Sequence, residues 1–377
     1  MSGAPLILSR LNKRYNPGTA HEVHAVRDFD LNVEAGEIVA LLGSSGCGKT
    51  STLRMIAGFE EVSAGAITLG GAEIHTRQPA RRNVAMAFEG YSLYPPLTVG
   101  ENIAFALKSQ QLDKAEVDRR VGEIARLLEI EDILGRYPSS ISGGQQQRTS
   151  LGRALIRDAD LHLLDEPMGQ LEPQLRAHLR GRLKHFIKER GLTAILVTHD
   201  QTEANALADR IAVMEDGVLQ QFDTPAALKD RPANLFTGTF IGEPPMNVFS
   251  ATAQADGDTL TFAMDGGAVL SYPQDGFATD LREDLLARRE VTLGVRPHAV
   301  QITETGVLAE VIVNQWLGDQ SHIAAGFAGA TIVSVTHDRA RLDKGAAIAI
   351  SIAAEDLHLF DTGTGAAISH GGQRVAA

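Results

Sequence analysis

From position 6 to about 240, short β-branched apolar runs at 37–42, 84–88, 161–164, 193–198 and 210–214 alternate with longer amphipathic stretches. That alternation predicts a mainly parallel α/β sheet. Between 99 and 136 the spacing turns helical, with Val117, Val121, Ile124, Leu127 and Leu128 on one face. It predicts a helical insert within the domain, over about 90–157. Beyond Pro244 and Pro245 the helical spacing fades, and brief apolar runs recur at 291–295, 307–313, 331–335 and 348–352 with turns between them. These predict a small all-β barrel, with a hairpin over 260–272 around Asp265-Gly266-Gly267. Positions from 363 onward are rich in Gly, Ala and Ser and predict a disordered tail. The expected domains are therefore 1–240 and 241–377.

Length and composition agree with two domains: 377 residues, 44% of them hydrophobic, exceed one ordinary core. A formal net charge of −12 repels phosphate backbones at long range, so nucleic acid is not an expected partner. Cys47 is the single cysteine, which excludes an intrachain disulfide and a Cys-based zinc site and fits a reducing cytosol. The first residues lack the pattern of a signal peptide, and no apolar run approaches the roughly 18 residues that span a bilayer. If the chain serves a membrane process, a partner is expected to supply the crossing.

The candidate chemistry begins with Gly43-Ser44-Ser45-Gly46-Cys47-Gly48-Lys49-Thr50, which matches G-x-x-x-x-G-K-[ST] between an apolar strand and a helical segment. Glycines let the backbone curl so that N–H groups face phosphates; Lys49 brings a cation to the terminal phosphate, and Thr50 can ligate Mg2+. A Gly-rich turn that merely starts a helix leaves Lys49-Thr50 unexplained. At 161–166 an apolar run gives way to two acids, Asp165 and Glu166. At a strand's carboxyl end Asp165 can steady Mg2+ and Glu166 can polarise an attacking water, although such a pair is also compatible with a solvated loop. His199 follows another strand and can reach the γ-phosphate, or simply begin a helix. Ser142-Gly143-Gly144-Gln145 opens a helix; S-x-x-Q is a capping box, while the two glycines leave bare N–H groups for a second anion. Two phosphate-directed surfaces in one chain make a two-fold dimer with composite sites plausible.

The phosphate loop, 141–148, 163–167 and 197–200, in that order, resemble an ABC ATPase. With Phe240-Ile241-Gly242-Glu243-Pro244-Pro245-Met246-Asn247, Gly294-Val295-Arg296-Pro297 and the β-rich end, the chain is similar to the maltose-type subunits of carbohydrate importers. The resemblance implies a P-loop ABC ATPase domain followed by an OB-like (TOBE) regulatory domain. It implies that Tyr15 stacks on adenine, that residues 43–50 and Ser51 hold ATP with Mg2+, and that Ser142 to Gln145 reach the partner's γ-phosphate. Glu166 would be the catalytic base and His199 the γ-phosphate sensor. Tyr91 to Pro96 would border a groove for a helix of a transmembrane permease subunit. The implied setting is the cytoplasmic face of the cell membrane, as a homo- or heterodimer driven indirectly by a solute-binding protein.

Two positions depart from the family pattern. Glu89 stands where relatives carry glutamine; a carboxylate ligates Mg2+ but repels phosphate, so Glu89 is expected beside both the nucleotide and the metal. Gly169-Gln170-Leu171-Glu172 replaces a Ser-Asn-Leu-Asp type of loop. The competing readings are a soluble ABC protein acting on DNA or ribosomes, disfavoured by acidity and the single cassette, and a degenerate regulatory subunit. Iron, sulfate or polyamine importers share the architecture, so the solute is open.

Overall fold

The computed structural model describes residues 3–375, in two compact units, Met1–Pro225 and Ala226–Ala377. In the first unit a six-stranded sheet runs in the order Val218–Asp223, Arg210–Glu215, Ile38–Gly43, Ala194–Val197, Leu161–Asp165 and Val84–Ala87. All neighbours are parallel except the outermost pair of Val218–Asp223 with Arg210–Glu215. The three central strands are buried along their whole length, because helices cover both faces of a parallel sheet and continuous apolar runs are what such strands require.

A second, antiparallel sheet, ordered Val23–Val33, Leu6–Tyr15, Ala64–Leu69 and Ala72–Glu73, was not expected from the sequence. Its two long strands slip register at three places, and Arg10 and Asp28 take positive φ values of 43° and 41°. Each slip breaks the period-two alternation that marks a strand in sequence. Leu6, Leu8, Phe29, Leu31 and Val33 of this sheet share one core with Val39, Leu41, Leu53, Met55 and Ile56.

The helical stretch comprises Val99–Ala104, Lys114–Leu128 and Gly143–Leu155, separated by short 3-10 turns. Thr98 and Asp113 cap the first two through the backbone N–H groups of Glu101 and Glu116. Val121, Ile124 and Leu128 form the buried stripe of the second.

The second unit contains a seven-stranded and a five-stranded antiparallel sheet. Their inner faces meet through Leu260, Phe262, Leu293, Ile323, Ile350 and Leu357. The hairpin Thr259–Met264 with Val269–Pro273 is present, and one helix, Thr279–Arg288, interrupts the strands with Leu281 and Leu285 buried. The division between units falls at Pro225/Ala226 instead of near 240. Asn234 bridges to Ala366, Leu235 N–H donates to Gly365 O at 2.8 Å, and Arg296 gathers carbonyls from Lys229 and Gly238, so 226–240 is tied to the β-rich unit.

The expected disordered tail is corrected. Ala367–His370 pairs with Leu357–Phe360 and turns back into Gln373–Arg374, because Ile368 and Ser369, at 7% and 0% exposure, anchor a stretch whose composition alone reads as linker. Only Ala376 and Ala377 of that expectation lie outside the described residues.

Within this pairing His358 Nδ1 and His370 Nδ1 lie 2.9 Å apart, one donating to the other, which requires at least one neutral ring. Burial, with the positive charge of Arg296 nearby, pushes His358 down to about 3 and His370 to about 4. Both values are depressed in the folded chain, so this stabilisation is complete above the unfolded histidine pKa and is lost as pH falls below it. Between pH 7 and pH 5.5 the second unit is expected to lose about 2 kcal/mol, discounted because His370 is only partly buried. Thermal scans of wild type and His370→Gln check this: the variant's second-unit transition should be flatter with pH, and equal slopes would refute the assignment.

Candidate functional site

Parallel pairing brings the carboxyl ends of four strands to one sheet edge: Gly43, Val197, Asp165 and Ala87. The chain leaves these ends into the phosphate loop, His199, Glu166 and Glu89, which is why residues far apart in sequence share one edge.

Two glycines of the loop are required by geometry. Gly48 has φ 103°, and a Cβ there would lie 2.3 Å from Ala25 O; a Cβ on Gly43 would lie 2.2 Å from Met214 O. The helix Lys49–Ala57 has no side-chain cap, so its first N–H groups are left for a ligand. Lys49 is buried and donates through Nζ to Gly43 O and Ser44 O, each at 2.8 Å, which holds its ammonium against the loop. Ser44, Ser45 and Gly46 are exposed and Thr50 is half-buried at the helix start. Cys47 is buried beneath the loop, its N–H engaged by Ser44 O at 3.3 Å. Tyr15 closes the strand Leu6–Tyr15 and its hydroxyl meets Ser51 Oγ at 3.0 Å, so the ring stands beside the phosphate helix.

Asp165 is 4% exposed, and its Oδ1 is buried without a hydrogen-bond partner. Burial, then the charges of Glu89 and Glu166, push its carboxyl up to about 6 against the opposing pull of Arg54 and Lys49. Among the described residues no three His, Cys, Asp or Glu side chains converge to hold a metal by themselves, but the buried, unpaired Asp165 Oδ1 is an oxygen a divalent cation would satisfy, so Asp165 fits Mg2+. Glu89 is exposed, at the edge of this acidic cluster.

Glu166 has φ 46°, an uncommon conformation for a non-glycine residue and one that often marks an active site. Its Oε1 lies 2.9 Å from His199 Nδ1, so the base and the sensor expected from sequence are in contact. Sequence reasoning passed over Gln147. This side chain, 3% exposed, donates from Nε2 to Glu166 O at 2.7 Å and accepts on Oε1 from Gln170 N at 2.9 Å. Its only signal in sequence was a polar residue on the inward face of the helix begun by Ser142.

Ser142 caps the helix Gly143–Leu155: Gln145 N donates to Ser142 Oγ at 3.3 Å and Ser142 N to Gln145 Oε1 at 2.9 Å. Within one chain these side chains satisfy each other, and the N–H groups of Gly143 and Gly144 sit at the tip of a capped helix. Beyond them lies a cleft of about 430 Å³ lined by Met86, Phe88, Tyr94, Phe105, Arg153 and Arg157. Arg153 shapes its rim by donating to Ser92 O at 2.7 Å and Tyr91 O at 3.1 Å, with its guanidinium 5.3 Å from the Tyr94 ring. Phe59, 55% exposed, packs on Phe88 with ring centroids 5.3 Å apart.

A family model described as ABC transporter matches residues 26–169, the MalK OB fold domain matches 242–300 and the TOBE domain matches 293–360. Over 362 residues the chain is 41% identical to the trehalose/maltose import ATP-binding protein MalK of Thermococcus litoralis, with 92% of this chain and 96% of that protein covered. Over 372 residues it is 38% identical to the lactose transport ATP-binding protein LacK of Rhizobium radiobacter, with 95% and 98% covered. A dimeric ATP-binding cassette in a post-hydrolysis state, bound to ADP and Pi, matches with TM-score 0.54 and 27% identity over 58% of this chain and 98% of that one.

Proposed function

We propose, from the premise that the chain belongs to the ABC transporter ATP-binding family, that it hydrolyses ATP to drive an importer for a carbohydrate or related solute. The observation that carries this reading is the contact of Glu166 with His199 at the sheet edge that also bears Lys49 and Asp165. The acids and the lysine are all retained, which favours a working ATPase over a degenerate regulator.

Lys49 and the loop N–H groups bind the β- and γ-phosphates; Tyr15 and Ser51 border the nucleotide. Mg2+, held by Thr50 and Asp165 with Glu89 beside them, would neutralise phosphate charge. Glu166 accepts the proton of the attacking water, and His199 orients its carboxylate. Ser142, Gly143, Gly144 and Gln145 meet the γ-phosphate of a nucleotide held by a second subunit, identical or not, in a head-to-tail dimer. The dimeric cassette with ADP and Pi supports that arrangement.

The cleft beside Tyr91 to Pro96 takes a helix of a transmembrane permease subunit, which a solute-binding protein addresses from the other side. Among the described residues no helix is long and apolar enough to cross a membrane. In this reading the permease supplies the crossing and the chain works against its cytoplasmic face. Copurification with permease subunits, followed by ATP turnover with candidate solutes and their binding protein, tests the proposal. Stimulation by one carbohydrate or polyol is expected; turnover indifferent to permease and to all such solutes would overturn it.

Glu89→Gln removes one acid from the cluster around Asp165. ATP affinity is expected to tighten about threefold while the Mg2+ concentration for half-maximal turnover rises by a similar factor. Nucleotide and Mg2+ titrations read both shifts, and no movement in either would show that Glu89 is silent.

A further inference from the structure

We infer that Gln147 is a positioning residue that locks the loop bearing the catalytic carboxylate to the helix whose tip faces the partner subunit's nucleotide. This rests on the ATPase reading above and adds to it a mechanical link between the two composite sites.

The loop leaving Leu161–Asp165 carries Glu166 in a left-handed conformation, followed by Pro167, Met168, Gly169 and Gln170. An uncommon backbone conformation persists only where its surroundings hold it. Glu166 N–H donates to Val197 O at 2.9 Å, which fixes the loop's start to the neighbouring strand. Its far side is held by Gln147, whose two amide atoms take the Glu166 carbonyl and the Gln170 N–H together, bridging the loop at both ends. The Gln147 side chain is 3% exposed and both bonds are partly buried, so leaving either unmade would cost more than at an open surface.

Gln147 belongs to Gly143–Leu155, one turn and a half from the cap Ser142. A second contact joins the same elements: a Cβ on Gly144 would lie 3.2 Å from Gln170 O and 3.3 Å from Leu171 Cδ2, so the helix tip rests directly on the loop. The helix and the loop thus move as one piece. Displacing the helix tip by a phosphate across the dimer displaces the backbone that aims Glu166 at the chain's own nucleotide. Arg176 is a further side chain that fixes this loop, donating to Gly169 O at 3.4 Å, to Leu171 O at 3.1 Å and to Asp200 Oδ2 at 3.1 Å, but unlike Gln147 it does not belong to the helix whose tip faces the partner.

The test uses the full chain with Gln147→Leu, which fills the space without hydrogen bonds, and Gln147→Glu, which keeps the acceptor and loses the donor. Turnover at saturating ATP is expected to fall roughly 30-fold in both, with KM for ATP and ATP-driven dimerisation in a Glu166→Gln background unchanged within about twofold. Gln170→Ala, which keeps the backbone N–H, should match wild type. Turnover within about twofold of wild type in Gln147→Glu would overturn the proposal, as would a parallel loss of turnover, ATP affinity and dimerisation, which marks a purely structural role. If Glu166→Gln itself turns over normally, the ATPase assignment has failed; if it is inactive while the Gln147 variants are active, only the link has failed.

Discussion

Glu166→Gln is expected to lower ATP turnover about 1,000-fold, equivalent to about 4 kcal/mol of transition-state stabilisation, while ATP binding and ATP-driven dimerisation persist. The substitution is close to isosteric, so the left-handed backbone at φ 46° and the carbonyl held by Gln147 are untouched. The amide oxygen still accepts from His199 Nδ1, which now lies 2.9 Å from Oε1. What disappears is the capacity to take a proton from water, together with one negative charge beside Asp165. The second loss should relieve Asp165, whose carboxyl is held up partly by Glu166, so nucleotide affinity should hold or tighten. Phosphate release, equilibrium nucleotide binding and size-exclusion chromatography separate the three effects. Wild-type turnover in the variant would remove Glu166 from the chemistry.

The parts of this site legible in sequence are those whose function and local fold coincide. Gly43 to Thr50 could be read because a phosphate loop demands glycine where the backbone reaches φ 103° at Gly48 and where Met214 O crowds Gly43. Asp165 and Glu166 could be read because two acids stand at the carboxyl end of an apolar strand, Asp165 as its last residue and Glu166 as the first beyond it. Gln147 could not, because its partners are a carbonyl and an N–H, and backbone groups carry no mark in sequence. The strands over 6–33 were hidden by register slips that break alternation, and the end of the chain by an anchoring isoleucine, Ile368, within a linker-like composition. The division at Pro225/Ala226 was equally hidden, since it is set by long-range bonds from Arg296 and Gly365.

Those bonds lead to the largest expected loss of stability, from Arg296→Ala. Arg296 is 5% exposed and donates to Lys229 O at 2.8 Å, to Gly238 O at 2.7 Å and to Ile241 O. Burial lowers its pKa to about 10, so it is charged at neutral pH, favoured by the nearby charge of Asp230. Alanine removes the donor these carbonyls share, at about 1–3 kcal/mol for each buried group left unsatisfied, for a total of about 3–5 kcal/mol once partial hydration is allowed. Arg296→Lys keeps the charge but replaces a planar fork by a single ammonium, which cannot face carbonyls on Lys229, Gly238 and Ile241 at once, so it should lose an intermediate amount. The effect should be confined to the unit Ala226–Ala377, because every carbonyl Arg296 serves belongs to it. Calorimetry should therefore lower one transition and leave the other, and ATP binding by the isolated variant should be retained. An unchanged pair of transitions would mean that water replaces the guanidinium at little cost, and that the other contacts of 226–241, among them those to Gly365, Ala366 and Ala367, suffice to hold it.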